Sequence, residues 1–92
     1  MTIMLDTGAT GNFIHHKTVQ KINEKTWKKA KSYQLQVADG TKMAFQQGSV
    51  THEVRTIMKM ENFKEALILD VTDTGSCQVI LGTPFLDLHS PG

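Results

Sequence analysis

Ninety-two residues allow one domain, and 39% apolar with 21% charged residues is the balance of a folded chain rather than a disordered one. The formal net charge of +1 gives no strong pull toward nucleic acid or an anionic membrane. The one cysteine, Cys77, cannot form an internal disulfide, so nothing requires an oxidising compartment.

A chain this short has a thin core that a partner chain would help. No apolar run reaches the length of a membrane span, and "MTIMLD" lacks the basic start and long apolar stretch of a secretory leader. The expectation is a soluble, cytoplasmic protein.

Ile3 to Leu5 is a short apolar run that predicts a buried strand ending at Asp6. After Thr10-Gly11-Asn12 the apolar pattern resumes at Phe13-Ile14. "HHKTVQKIN" then predicts a short helix with Val19 and Ile22 on one face, Lys17 and Lys21 on the other, and Asn23 as its stop. "EKTWKKAK" reads as a basic connector. "SYQLQV" alternates and runs into Asp39-Gly40, a strong hairpin signal, with "KMAFQ" as the return strand and Gly48 as a bend. "VTHEVRTIM" alternates again, Met60-Glu61-Asn62 predicts a turn, and Ala66 to Val71 a strand. "QVIL" is a further strand closed by Gly82, and Pro84 opens a short C-terminal helix. Many short strands and little helix predict an all-β domain.

The triplet Asp-Thr-Gly occurs twice, at Asp6-Thr7-Gly8 and Asp73-Thr74-Gly75. Asp6 follows an apolar strand, and Gly8 lets backbone pass close to a ligand, a context that can hold a carboxylate at the floor of a cleft. Asp73 stands among turn formers in "VTDTGS", so it reads as a solvated turn. With only a few residues between it and "VILG", the repeat reads as coincidence rather than internal duplication.

"LDTGATGNFI" with "VILGTPFL" downstream resembles the retropepsin-like aspartic proteases, nearest to the protease domain of gypsy-type LTR retrotransposons. The shared pattern is an apolar strand, Asp6-Thr7-Gly8-Ala9, then Ile80-Leu81-Gly82, in that order across nearly the whole chain. The resemblance implies an all-β, closed barrel-like retropepsin fold with a flap hairpin and a short C-terminal helix, one lobe per chain. It implies a single domain over residues 1–92, truncated at both ends, because only Met1 to Leu5 precede Asp6 and the chain stops at Gly92.

Metal-free peptide hydrolysis needs one group to activate water and another to protonate the carbonyl. Two adjacent carboxylates sharing one proton supply both, with aspartic proteases as the standard example. The resemblance makes the chain a homodimer, with Asp6 and its symmetry mate as the dyad. Thr7 would brace the loop across the dimer, and Gly8 would offer its backbone to substrate. The flap, Val37 to Met43, would close over the peptide, so Val37, Ala38, Asp39 and Gly40 join Ala9, Phe13 and Ile80 as substrate-binding candidates. The implied substrate is a Gag-Pol-type polyprotein, cleaved in the cytoplasm or within virus-like particles, without cofactor or metal. The competing reading is a non-catalytic retropepsin-like module used in self-association.

Other readings are weaker. His15, His16, His52 and His89 show no ligand spacing, and the adjacent His15 and His16 would diverge on a regular element. Cys77 reads as a small core residue. Lys17, Lys21, Lys25, Lys28, Lys29 and Lys31 surround Trp27, which could serve phosphates and base stacking but reads by default as a solvated face.

Overall fold

The computed structural model describes residues 2–35 and 45–85, without the side chains of Met60 and Phe63. Its elements are β1 (Ile3–Leu5), β2 (Phe13–His15), α1 (His16–Ile22), β3 (Trp27–Gln34), β4 (Ser49–Met60), β5 (Phe63–Thr72) and β6 (Val79–Leu81). The strands form one mixed six-stranded sheet in the order β1-β6-β2-β5-β4-β3, so the all-β expectation holds.

The longest pairing is the β4–β5 hairpin. A two-residue turn, Glu61-Asn62, fixes the register from Met60 opposite Phe63 to Glu53 opposite Asp70. Side chains on a strand alternate between faces, so Val54, Leu67 and Leu69 point into the core while Ile57 and Ile68 point out. The core continues through Ile14, Val19, Val71, Val79, Leu81 and Phe85.

Helix α1 begins at His15, whose Nδ1 accepts the Lys17 N–H at 3.1 Å, and ends at Asn23 in the left-handed conformation. Asn23 is thus the expected stop. The buried pair is Thr18 and Val19, not Val19 and Ile22; Ile22 lies in the last turn and is 46% exposed.

Three local expectations change. The basic stretch read as a connector enters β3 at Trp27. Among the described residues β3 ends the sheet and pairs only with β4, so Lys28 and Lys31 keep access to solvent. The strand at Ile3–Leu5 forms but is not buried, with Leu5 62% exposed, because among the described residues β1 is the other end strand and pairs only with β6. Phe45 and Gln46, expected on a return strand, lie instead in a short 3-10 segment, Phe45–Gly48, in which Gln46 and Gln47 take positive φ. The expected flap residues Val37, Ala38, Asp39, Gly40 and Met43 lie outside the described residues. The C-terminal helix is present from Thr83 to Phe85, where the described residues end.

Four strands carry an internal order that the sequence reading missed. β1 runs parallel to β6, β2 parallel to β5, and β2 antiparallel to β6. Exchange residues 3–5 with 70–72, and 13–15 with 79–81, and every pairing among these strands maps onto another in the set. Ile3 opposite Val79 becomes Asp70 opposite Phe13, and the β2–β6 contacts reproduce themselves. The residue after β1 is Asp6 and the residue after β5 is Asp73, so the two triplets occupy equivalent places. They are related by fold, not scattered by chance.

Val54 tests the core. Val54→Ala is expected to cost about 2 kcal/mol, whereas Ile57→Ala on the outward face of the same strand should change stability by less than about 0.5 kcal/mol. Urea unfolding of the two variants checks the difference.

Candidate active site

The Asp6 loop is held from both sides. The Asp6 N–H donates to the Leu81 carbonyl at 2.9 Å, which ties the loop to the end of β6. The Asp6 Oδ1 accepts the Gly8 N–H at 2.8 Å, and the Ala9 N–H closes back on the Asp6 carbonyl at 3.2 Å. Ala9 in turn accepts the Thr83 N–H at 2.9 Å. The Asp6 carboxylate is thereby aimed by a turn, and Thr7 and Gly8 are left exposed beside it.

Gly82 passes close beneath this loop. A Cβ at Gly82 would lie 2.5 Å from the Ala9 carbonyl oxygen and closer still to that of Gly11. Neither is a flexible side-chain end, so only glycine fits. The Gly82 N–H donates to the buried Asn12 Oδ1 at 2.9 Å, and the Asn12 carbonyl accepts the Asp70 N–H at 2.9 Å. Asn12 therefore joins the loop, β5 and the end of β6. Sequence reasoning passed over it as one polar residue in a turn; its place just before the apolar Phe13-Ile14 was the available signal.

Among the expected pocket residues, Phe13 and Ile80 stand directly opposite each other across β2 and β6, with Met4 opposite Ile80 on its other side. The structure brings these two together next to the Asp6 loop. Phe13 is buried and Ile80 partly so.

The second triplet makes the same turn. Asp73 Oδ1 accepts the Gly75 N–H at 2.8 Å, the counterpart of the Asp6–Gly8 bond. Gly75 takes a positive φ of 70°, and Thr74 Oγ1 donates to the Cys77 carbonyl. Asp73 differs in having an imidazole partner, since its Oδ1 lies 3.3 Å from His15 Nε2. The strand directions also separate the two aspartates. β1 and β5 run antiparallel, so Asp6 and Asp73 leave the sheet at opposite ends.

His15 and His16 do not diverge as expected. They straddle the junction of β2 and α1, and their rings stack at 4.6 Å, with Phe45 stacked on His16 at 3.9 Å. Burial, then the neighbouring His15, lowers the His16 pKa. One ligand atom each from His15, His16 and Asp73 lies within 4.8 Å of the others. Within this trio His15 is the helix cap, its Nδ1 accepting the Lys17 N–H while its Nε2 faces Asp73.

A buried charge cluster lies on the outward side of β3, β4 and β5. Lys29 Nζ meets Asp70 at 2.9 Å and Glu53 at 3.3 Å, Arg55 Nε meets Glu53 at 3.0 Å, and the Tyr33 hydroxyl donates to Asp70. Glu53 and Asp70 are direct cross-strand neighbours, and Lys29 bridges their like charges. Burial works against the charged Lys29, but Asp70 and then Glu53 outweigh it and raise its pKa. The Arg55 bond, against burial and helped by Lys29, holds Glu53 below its usual value. Burial and then Asp70 push Tyr33 upward. Trp27 is engaged beside this cluster, with Lys25 at 4.0 Å and Arg55 at 4.3 Å from its ring, which removes the simplest form of base stacking.

No helix among the described residues is long and apolar enough to cross a membrane. Compared with known families, residues 2–92 match the model described as the PEG10/RTL1 protease domain.

Two expectations follow from these contacts. Asn12→Ala leaves the Gly82 N–H without its acceptor and should cost about 1–3 kcal/mol, read by denaturant unfolding. Lys29→Met leaves two buried carboxylates facing each other and should cost about 3–5 kcal/mol at neutral pH. In the unsubstituted protein the Glu53 contribution, from a lowered pKa, is present above about pH 4 and lost as pH falls through its folded value. The Lys29 contribution, from a raised pKa, is full below about pH 10 and lost as pH rises through its folded value. Unfolding free energy measured against pH should show both losses, and both should shrink in Lys29→Met.

Proposed function

The chain belongs to the PEG10/RTL1 protease-domain family, retropepsin-like domains derived from gypsy retrotransposons, and from that premise we propose that it is an aspartic endopeptidase that works as a homodimer, with Asp6 from each chain forming the dyad. The observation that carries this reading is the strand direction. Asp6 and Asp73 depart from opposite ends of the sheet, so the chain does not pair its own two triplets. A second carboxylate for Asp6 comes from a second chain. The exposed apolar strand β1 leading into the loop, and the exposed Thr7 and Gly8, are the surface such a partner covers.

The chemistry follows from the shared proton. Two close carboxylates cannot both ionise, so one stays neutral. The ionised Asp6 takes a proton from water as it attacks the scissile carbonyl, while the protonated Asp6 of the other chain donates to the carbonyl oxygen. The dyad then returns a proton to the leaving nitrogen, the C–N bond breaks, and the pair is restored. The Asp6 Oδ1–Gly8 bond fixes the carboxylate orientation throughout. Thr7 braces the loop across the interface and Gly8 presents backbone to substrate. An extended peptide lies along the cleft with its side chains against Ala9, Phe13 and Ile80, and Val37, Ala38, Asp39 and Gly40 close over it as the flap. The substrate is a retroelement-type polyprotein, cleaved in the cytoplasm or inside particles assembled from it, with no cofactor or metal.

Cleavage of extended peptides with apolar residues at the scissile bond tests the reading, at high protein concentration and mildly acidic pH. Asp6→Asn should lower the rate by about 10³-fold or more, and Asp73→Asn should leave it within a few-fold. The rate should pass through a maximum in the acidic range, because the dyad must hold one proton. Folded protein without cleavage would assign the chain to the non-catalytic, self-associating reading.

A further inference from the structure

Asn12 is 8% exposed, a polar residue buried where the Asp6 loop runs into β2. A buried amide is costly unless its oxygens are used, and both oxygens of this residue are. The Asn12 carbonyl accepts the Asp70 N–H at 2.9 Å, just ahead of the point where Phe13 stands opposite Asp70. The Asn12 Oδ1 accepts the Gly82 N–H at 2.9 Å. One residue therefore aims two acceptors at two different elements, β5 and the segment that follows β6.

The β5 end of this link is anchored. Lys29 Nζ holds the Asp70 carboxylate at 2.9 Å, and the Tyr33 hydroxyl donates to it from the same strand. The Gly82 end leads to the Asp6 loop. Its chain neighbours Leu81 and Thr83 partner the Asp6 N–H and the Ala9 carbonyl, each at 2.9 Å. A shift of Gly82 thus displaces both ends of the turn that aims the Asp6 carboxylate. The strand exchange that relates the two triplets carries Asn12 onto Gln78. Gln78 is also an amide, but its Oε1 accepts the Thr2 N–H at 2.6 Å, at the entry to β1. Gln78 directs its side chain to a strand, whereas Asn12 directs its own to the support of the Asp6 loop.

We propose that Asn12 is a positioning residue of the Asp6 site: by joining Gly82 to Asp70 it holds the Asp6 carboxylate where it meets its counterpart from the second chain. On the homodimeric protease reading, on which this rests, Asn12 touches no reacting atom. It sets the separation of the two carboxylates, and so how strongly they share one proton. A loop freed of this bond lets the pair drift apart. The acidic window in which one carboxyl is ionised and the other is not then narrows.

The test compares Asn12→Ala with Asn12→Asp, which keeps an acceptor oxygen, and with Val54→Ala, a core variant that leaves the Asn12 bonds in place. Amide hydrogen exchange is read first. In Asn12→Ala the Asp6 and Thr83 amides should lose about tenfold more protection than residues 65–69 of β5, whereas Val54→Ala should spread its loss over both. In the unsubstituted protein the Asp6, Gly82 and Thr83 amides should open as one unit, with protection equal within about threefold, a reading that needs no variant to fold. In peptide cleavage Asn12→Ala should lower kcat by about tenfold or more, keep KM within about twofold and narrow the pH–rate profile. Asn12→Asp should recover most of the rate at mildly acidic pH, and Val54→Ala should keep the profile of the unsubstituted protein. The proposal is overturned if the three amides open separately, if Asp6 and Thr83 lose no more protection than β5, if the profile keeps its width, if the loss lies in KM alone, or if Asn12→Asp behaves as Asn12→Ala. No cleavage by the unsubstituted protein would refute the protease reading instead, and the exchange measurements would still decide whether Asn12 holds the loop.

Discussion

The close passage of Gly82 beneath the Asp6 loop is the constraint on which the rest of the candidate site depends. The carbonyls of Ala9 and Gly11 occupy the space where a side chain would stand, and the Gly82 N–H closes the gap by bonding to Asn12. Leu81 then reaches the Asp6 N–H and Thr83 reaches the Ala9 carbonyl. Two segments far apart in the chain thus supply each other's backbone partners. The loop is rigid because few of its polar groups are left to choose a different arrangement.

The interlocked strands explain why one chain carries Asp-Thr-Gly twice. Each copy follows a strand of the exchanged set, and each folds into the same carboxylate-to-glycine turn. Equivalent geometry did not bring equivalent surroundings. Asp6 sits at the free end strand β1, where a partner can approach. Asp73 faces His15 and joins the last loop to the start of α1. The same three residues are therefore a reactive candidate at one end of the sheet and a brace at the other.

Much of this was legible in the sequence where one side chain implies one environment. Alternation predicted β4, Met60-Glu61-Asn62 the turn after it, the apolar run from Ala66 to Val71 most of β5, and Asn23 the helix stop. The ordered set of Asp6-Thr7-Gly8-Ala9 and Ile80-Leu81-Gly82 carried the resemblance to the family that the chain matches. The failures were of another kind. Trp27 to Lys31 looked like a connector because charge at the end of a sheet resembles charge in a loop. Ile3 to Leu5 looked buried because apolar character does not reveal whether a strand has one neighbour or two. Asn12, the Lys29 bridge and the relation between the triplets are properties of pairs distant in sequence, and local pattern contains no trace of a pairing that only the sheet creates.

The pairing of β1 with β6 also sets an order of events. The β4–β5 hairpin closes over a two-residue turn and can form early, whereas β1 waits for residues 79–81 and the Asp6 loop for Gly82 and Thr83. On a ribosome, residues 3–9 must wait for residues 79–83 before Asp6 acquires its setting. The Asp6 loop thus takes its described form only after Gly82 and Thr83 have been made.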